Sequence, residues 1–175
     1  MLDDVHFLTA DDEPQLSQFY QRVCAQQAHD TYSPDWHWGV YPNSTDLASM
    51  SHQGQMIGGF QDGQLVAAGR ITQGEQADYR SVPWTFPVAD EDVAILHLFA
   101  VHPDFRGQGV SSAMLQAILK TLRDQGRRVV HLDVMAGNLP AEKLYVKNGF
   151  TFAQERTLQY QDVGDTLARL FECRL

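Results

Sequence analysis

A glycine-spaced segment between an apolar run and an amphipathic run has the composition of an anion-binding turn. Val93–Val101 is almost entirely apolar and predicts a buried strand, and Arg106-Gly-Gln-Gly-Val-Ser111 leads into a predicted helix. The first turn of a helix attracts anions, because its backbone N–H groups have no intrahelical partners and the positive end of the helix dipole lies there. Gly107 and Gly109 have no Cβ atoms, so a pyrophosphate can approach the backbone closely.

Two common phosphate-binding motifs match this segment less well. A P-loop requires Gly-Lys-Ser/Thr, and Gly109 is followed by Val110. The dinucleotide-binding fingerprint requires G-x-G-x-x-G directly after the strand, with an acidic residue further on, for which Asp133 is the candidate. Ser112 stands at its third glycine position, and His-Pro-Asp-Phe-Arg separates the strand from Gly107. Glycines that only begin a helix are the structural alternative, although glycine is a weak helix start.

Hydrophobic periodicity around this turn predicts a mixed α/β domain with the order β-α-α-β-β-β-α-β-α-β-β. The predicted strands are Val5–Phe7, Met56–Phe60, Leu65–Ile71, Val93–Val101, Arg128–Val134, Phe150–Tyr160 and Thr166–Arg174. The predicted helices are Thr9–Ala28, a short one from Ser44 through Met50, Gln108–Gln125 and Leu139–Lys147. Asp62-Gly63 predicts a hairpin turn, and Asp30–Tyr41 and Gln73–Asp90 are predicted to be irregular.

The composition indicates one globular domain spanning residues 1–175, with 43% hydrophobic and 20% charged residues. The formal net charge of −9 argues against a nucleic-acid partner and favours a cationic or amine substrate. No apolar run approaches the roughly 20 residues of a membrane span, and Met1-Leu-Asp-Asp does not begin a secretory signal. Cys24 and Cys173 lack metal-binding spacing. We therefore expect a cytoplasmic protein without a metal site or a membrane contact.

Two segments together resemble a known superfamily. Arg106-x-x-Gly109-x-Ser111 is similar to the Q/R-x-x-G-x-G/A motif of the GNAT superfamily of N-acetyltransferases, with serine where the family has glycine or alanine. Gly137-Asn138-Leu-Pro-Ala-Glu-Lys-Leu-Tyr145-Val-Lys-Asn-Gly149-Phe150 resembles the second family segment, in which an asparagine opens a helix and a tyrosine closes it. The resemblance is close over Val93–Phe152. It implies an α/β GNAT-like fold: a central, mostly antiparallel sheet with a splayed parallel strand pair, flanked by helices.

The resemblance also implies that acetyl-CoA binds between the splayed strands as a co-substrate, without a metal. Backbone groups of Phe99, Ala100 and Val101 would pair with the pantetheine arm as an added strand does. Asn138 would bond to the pantetheine end or to the amides of the cofactor. The pyrophosphate would be held by Arg106, Gly107, Gln108, Gly109, Val110 and Ser111.

Tyr145 and His97 are the catalytic candidates that follow from the resemblance. Direct attack by an amine leaves a thiolate, and the phenol of Tyr145 could donate a proton or hydrogen bond to that sulfur. The ammonium must first lose a proton, and histidine has the ordinary pKa nearest neutrality. Leu96-His97-Leu-Phe-Ala-Val-His102 is similar to a strand of arylalkylamine acetyltransferases in which the matching histidine works through water. Strand alternation predicts His97 on the face of Phe99 and Val101, the expected cofactor side.

Each candidate also has a structural interpretation. Tyr145 could be a core aromatic and His97 a buried, hydrogen-bonded histidine, in which case water or a carboxylate such as Glu91 or Asp92 would be the base. The aromatic residues of the two irregular segments could line the acceptor side, where aromatic faces suit an amine. They could equally anchor the loops or form a homodimer contact. These residues are Tyr32, Trp36, Trp38, Tyr41, Trp84 and Phe86.

The sequence predicts an acetyl-CoA-dependent N-acetyltransferase that acts on a primary amine by direct attack. The amine would belong to a small molecule or to a peptide, at its N-terminus or a lysine. Two alternatives remain open: another acyl-CoA transferase with a longer acyl group or a hydroxyl acceptor, and a non-catalytic acyl-CoA-binding module. The presence of both Tyr145 and His97 argues against the module.

Overall fold

A seven-stranded sheet in the order β1-β2-β3-β4-β5-β7-β6 forms the centre of the computed structural model, which describes residues 1–175. The strands are β1 Asp4–Phe7, β2 Met56–Gln61, β3 Gln64–Gln73, β4 Val93–Val101, β5 Val129–Met135, β6 Thr151–Tyr160 and β7 Gly164–Arg174. The helices are α1 Glu13–Gln27, α2 Ser44–His52, α3 Val110–Asp124 and α4 Leu139–Lys147. The predicted element order is confirmed. None of the helices combines the length and the apolarity needed to cross a membrane.

One parallel pair interrupts an otherwise antiparallel sheet. β4 and β5 run in the same direction, and their pairing extends only from Val93↔Val129 to Ile95↔His131. A parallel pair needs a crossover connection, which α3 provides. Beyond Ile95 the edge of β4 that faces β5 has no strand partner. The expected splayed parallel pair within a mostly antiparallel sheet is therefore confirmed.

A β-bulge in β4 reverses the alternation of its side chains. Ala68 of β3 pairs with Ala100, and Arg70 pairs with His97, so β4 contains an extra residue over this stretch. Leu98 has a left-handed backbone conformation with φ of 51°, and its carbonyl accepts a hydrogen bond from the Tyr20 hydroxyl at 2.5 Å. The conformation costs free energy in a residue other than glycine, and the buried hydrogen bond helps to hold it.

The bulge overturns one prediction from the sequence. Leu96 belongs to the core beneath α3, and Phe99 and Val101 pack against the same core, so His97 faces the opposite side of the sheet. The prediction that His97 shares a face with Phe99 and Val101 is therefore wrong. That prediction requires uninterrupted alternation, and one inserted residue shifts every later side chain to the other face.

Helices cover both faces of the sheet. Met114, Ile118 and Leu122 of α3 pack with strand residues in the largest core cluster. A second cluster joins α1 and α2 to the opposite face through residues such as Leu16 and Leu47. These apolar stripes at helical spacing are what positions the helices on the sheet.

The segment between β3 and β4 covers the remaining part of that opposite face without forming an α-helix. It contains only short 3₁₀ turns, at Ala77–Tyr79 and Asp90–Asp92, as its irregular composition predicts. The fully buried carboxylate of Glu172 accepts hydrogen bonds from the backbone N–H groups of Thr85, at 2.7 Å, and Phe86, at 3.2 Å. Hydrogen bonds to a side chain of the sheet thus hold in place a segment that has no α-helix or strand.

Candidate active site

A cavity of about 330 Å³ opens where β4 and β5 separate. Its walls come from both faces of the sheet, because Tyr145 of α4 lines it on one side and Trp36, Tyr41 and Tyr160 line it on the other. The volume lies at the lower end of the roughly 300–1,000 Å³ of small-molecule sites. The cavity therefore passes through the sheet at the gap between the two strands.

Several residues singled out from the sequence meet at this cavity. His97 and Phe99 of β4, Asn138 at the start of α4, and Tyr145 near its end all line it. Ala100 and Val101 follow on the part of β4 that has no partner on the β5 side. The glycine-rich turn begins after the 3₁₀ turn Pro103–Phe105, which continues the chain from that strand.

Tyr145 is a buried phenol whose hydroxyl has no hydrogen-bond partner within the protein. Its side chain is only 7% exposed, and its ring packs edge-on against Phe99 and Phe150 with centroid distances of 6.3 and 5.5 Å. Burial raises the pKa of Tyr145 well above its usual value, and the negative charge of Asp133 raises it further. The phenol is therefore protonated at neutral pH and is available as a hydrogen-bond donor.

His97 lies in the cavity wall as a neutral imidazole. Its Nε2 atom is 3.1 Å from the Thr72 hydroxyl oxygen. Burial lowers the pKa of His97 to about 4, and the positive charge of Arg70 acts in the same direction. When Nε2–H donates to Thr72, Nδ1 is left as the proton acceptor. The pKa lies well below the near-neutral value that the residue type suggests, so His97 remains deprotonated throughout the physiological range.

Asp133 of β5 lines the cavity, a position that the sequence patterns do not indicate. Its carboxylate accepts hydrogen bonds from the hydroxyl groups of Tyr79 and Tyr160. Burial raises the pKa of Asp133, whereas these two hydrogen bonds lower it. An acidic residue in the mostly apolar run Val129–Met135, which also contains His131, was the available signal, because a buried carboxylate needs partners.

The charged side chains of the cavity wall are all acidic. Asp78, Asp133 and Asp162 line it, and no lysine or arginine does. Trp36 and Tyr41 are the only residues of the predicted aromatic set in the wall. The others lie elsewhere: Trp38 packs near α1 and α2, Trp84 and Phe86 pack on the sheet with the segment before β4, and Tyr32 is 47% exposed.

The turn before α3 presents a row of free backbone donors. The backbone N–H groups from Gly107 through Ser112 make no hydrogen bond within the protein, and α3 begins at Val110. Gly107 and Gly109 have φ angles of 74° and 81°, which favour glycine, and a Cβ atom on either would meet nothing within 4 Å. Open space above unpaired N–H groups suits an anion, as the sequence predicts for this turn.

Arg106 has a partner that the sequence did not indicate. Its guanidinium Nη1 lies 2.6 Å from Oδ2 of Asp30, just beyond the end of α1. A phosphate at the turn would therefore compete with Asp30 for this side chain. Ser111 is partly buried in the first turn of α3, and the side-chain amide of Gln108 donates to the carbonyl of Asp104 at 3.0 Å.

The other acidic candidates for a base are not brought to the cavity. Glu91 and Asp92 precede β4, at the end of the strand where it still pairs with β5. The Glu91 carbonyl accepts a hydrogen bond from Arg127, and the Asp92 carboxylate lies 3.7 Å from Arg128. Both residues therefore lie at the start of the central strand β4 and do not line the cavity.

Comparison with known proteins gives matches over most of the chain. The model of the acetyltransferase (GNAT) family matches residues 16–150. The mycothiol acetyltransferase of Clavibacter sepedonicus is 32% identical over 120 residues, which are 66% of this chain and 38% of that protein. The ribosomal protein bS18-alanine N-acetyltransferase of Escherichia coli is 36% identical over 69 residues, 39% of this chain and 47% of that one. The matched segments thus span less than half the length of these relatives.

Solved structures match the fold along the whole chain. A GNAT-family acetyltransferase from Streptococcus agalactiae superposes with a TM-score of 0.84 at 17% identity, covering 100% of this chain and 98% of its own. An acetyltransferase from Salmonella typhimurium, solved with its cofactor acetyl-CoA, gives a TM-score of 0.70 at 14% identity and covers 98% and 93%. At sequence identities of 17% and 14%, the structural similarity shows a shared fold.

Proposed function

This chain belongs to the acetyltransferase (GNAT) family, and on that premise we propose that it transfers the acetyl group of acetyl-CoA to a primary amine. One observation carries the proposal: the unpaired part of β4 runs from a cavity lined by Tyr145 and His97 toward a turn whose backbone N–H groups are free. A long ligand with an anionic end and a reactive end fits such a path. The curated relatives described above are acetyltransferases, which supports the same activity.

The binding roles follow from the free backbone groups. The N–H groups of Gly107–Ser111 would hold the pyrophosphate, and Arg106 would exchange the carboxylate of Asp30 for a phosphate oxygen. The unpaired edge of β4 at Phe99–Val101 would bind the pantetheine arm as an added strand. Asn138, whose side chain makes no capping bond, would bond to the end of that arm.

The catalytic roles follow from the protonation states. Acetyl-CoA supplies the acetyl group as a thioester. Nδ1 of His97 would take the proton that the amine must lose, directly or through water, because the ring is neutral above a pKa of about 4. Asp133, with its raised pKa, is a second candidate for this proton. The Tyr145 hydroxyl would donate to the sulfur that leaves, because its raised pKa keeps the proton on the phenol.

The test is an assay of CoA release with a panel of amines, run with acetyl-CoA and with longer acyl-CoAs beside calorimetry of CoA binding. We expect release from acetyl-CoA that depends on the amine. Release that requires a hydroxyl acceptor or a longer acyl group would indicate a different acyltransferase. CoA binding without release by any acceptor would indicate a binding module and would contradict the proposed activity.

A further inference from the structure

We propose that the preferred acceptor is a small diamine, whose second ammonium group is bound by the carboxylate of Asp162 in the turn between β6 and β7. This inference rests on the proposed acetyl transfer, and it adds the chemical class of the acceptor. It depends on three features of the cavity: an unpaired buried carboxylate, the position of that carboxylate on the face of the sheet opposite Tyr145, and the absence of lysine and arginine from the wall.

Asp162 is a buried carboxylate that lacks a counter-charge at bonding distance. Its side chain is 3% exposed, and Oδ2 makes no hydrogen bond. The imidazole Nδ1 of His37 lies 4.0 Å from Oδ2, which is beyond hydrogen-bonding distance. Burying a carboxylate oxygen without a partner is unfavourable, so a donor that enters the cavity would stabilise this group.

Asp162 lies away from Tyr145, near which the acetyl group would be transferred. Burial raises the pKa of Tyr160, and the negative charges of Asp133 and Asp162 raise it further. Burial and the negative charge of Asp133 also raise the pKa of Tyr145. Asp162 lies 4.0 Å from His37, which pairs with Tyr41 on the face of the sheet opposite Tyr145, so it is placed away from the phenol.

A carboxylate that lies away from the point of transfer calls for a second nitrogen on the acceptor. The attacking nitrogen must be neutral when it reacts, so a carboxylate that served only this nitrogen would hold it in its unreactive, protonated form. Asp162 instead suits a nitrogen that stays charged. The rings of Trp36, Tyr41 and Tyr160 line the same cavity, and aromatic faces bind ammonium groups and the methylenes between them.

The test compares 1,4-diaminobutane with butylamine by titration calorimetry on the CoA-saturated protein. These probes have the same carbon chain and differ by one ammonium group. We expect wild type to bind the diamine about 10- to 100-fold more tightly, the usual effect of a charge-assisted hydrogen bond. Asp162→Asn should reduce this ratio to near one. The control Asp165→Asn removes the same charge from an exposed residue outside the cavity and should keep the ratio.

Several other results would decide against the diamine proposal or against the proposed acetyl transfer. Equal binding of the two amines by wild type, or no detectable diamine binding, overturns the proposal without requiring any variant. Retention of the preference in a folded Asp162→Asn protein, checked by its thermal unfolding, overturns it as well. Tighter binding of dialanine, which offers a single peptide N-terminus, would assign the cavity to peptides and also overturn it. Selective diamine binding without acetylation would support the site and contradict the proposed activity, and acetylation of butylamine alone would do the reverse.

Discussion

The hydroxyl of Tyr145 is the single group on which the proposed protonation of sulfur depends. Tyr145→Phe should lower kcat by about 100-fold, because it removes a proton donor. The KM for acetyl-CoA should change little, because the ring still packs against Phe99 and Phe150. Steady-state kinetics with acetyl-CoA as the varied substrate measures both, and Tyr32→Phe, which removes a hydroxyl from an exposed ring, is the matched control. A loss confined to KM would make the hydroxyl structural.

The pKa of His97 predicts where its effect on rate appears. Because burial lowers that pKa to about 4, the ring is already protonated below this pH and can take the proton of the amine only above it. The kcat/KM profile of wild type should therefore have an acidic limb near pH 4, and His97→Gln should remove the limb while CoA affinity persists. Thermal unfolding over the same pH range separates this effect from acid denaturation.

Ionisation of the amine itself could also produce such a limb. Amines of different pKa would then shift the limb, and His97→Gln would leave it in place. A limb near pH 6.5 that the variant abolishes would contradict the burial of the ring, because an exposed histidine titrates there.

The sequence identifies the residues of the site better than it predicts the face of the sheet on which each of them lies. Motifs identify Tyr145, His97 and Asn138, and these residues meet at one cavity. The side of the sheet that His97 faces depends on the bulge at Leu98, and nothing in an apolar run such as Val93–Val101 indicates an inserted residue. The cavity positions of Asp133 and Asp162 depend on partners far along the chain, which periodicity does not reveal.

Among the structural elements, the turn before α3 gives the sharpest test of CoA binding. Gly109→Ala adds a Cβ atom to the open space above the free N–H groups, where a phosphate would approach. The left-handed backbone there should also destabilise the variant by about 1–2 kcal/mol. CoA affinity, measured by calorimetry, should fall about tenfold or more, which corresponds to at least about 1.4 kcal/mol.

Gly126→Ala is the matched control for backbone strain. Gly126 follows the other end of α3 with φ of 82°, and an added Cβ atom there also meets nothing within 4 Å. Both variants should lose similar stability, and only Gly109→Ala should lose CoA affinity. Equal CoA binding by the two proteins would mean that the pyrophosphate lies elsewhere.

Local signals explain why the elements themselves are predictable. Asp62 and Gly63 both have positive φ, as their hairpin pattern predicts, and α4 spans Leu139–Lys147 as expected. The predicted start of α3 at Gln108 is too early, because the left-handed conformation of Gly109 delays the helix to Val110. Glycine spacing indicates a turn, but the conformation of each glycine decides where the helix begins.

On the scale of the whole molecule, long-range contacts decide what the sequence leaves open. The position of β7 between β5 and β6, and the docking of the segment before β4 on the sheet, both bring together residues distant in the chain. The bonds from Thr85 and Phe86 to Glu172 are an example, because a buried glutamate near the C-terminus gives no local sign of its partners. The acidic composition suggests a cationic ligand, and the structure concentrates part of that charge in the cavity wall.

The passage of the cavity through the sheet affects how the reactants enter and how the products leave. In a site with one entrance, the reactant that binds first can block the path of the second. Here the cavity passes between two strands of the sheet, and Tyr145 and Tyr160 line it on opposite faces. In the proposed reaction each reactant would come through its own entrance, and neither would have to leave before the other arrived. The donor could then be replaced on one side while the acetylated product departed from the other.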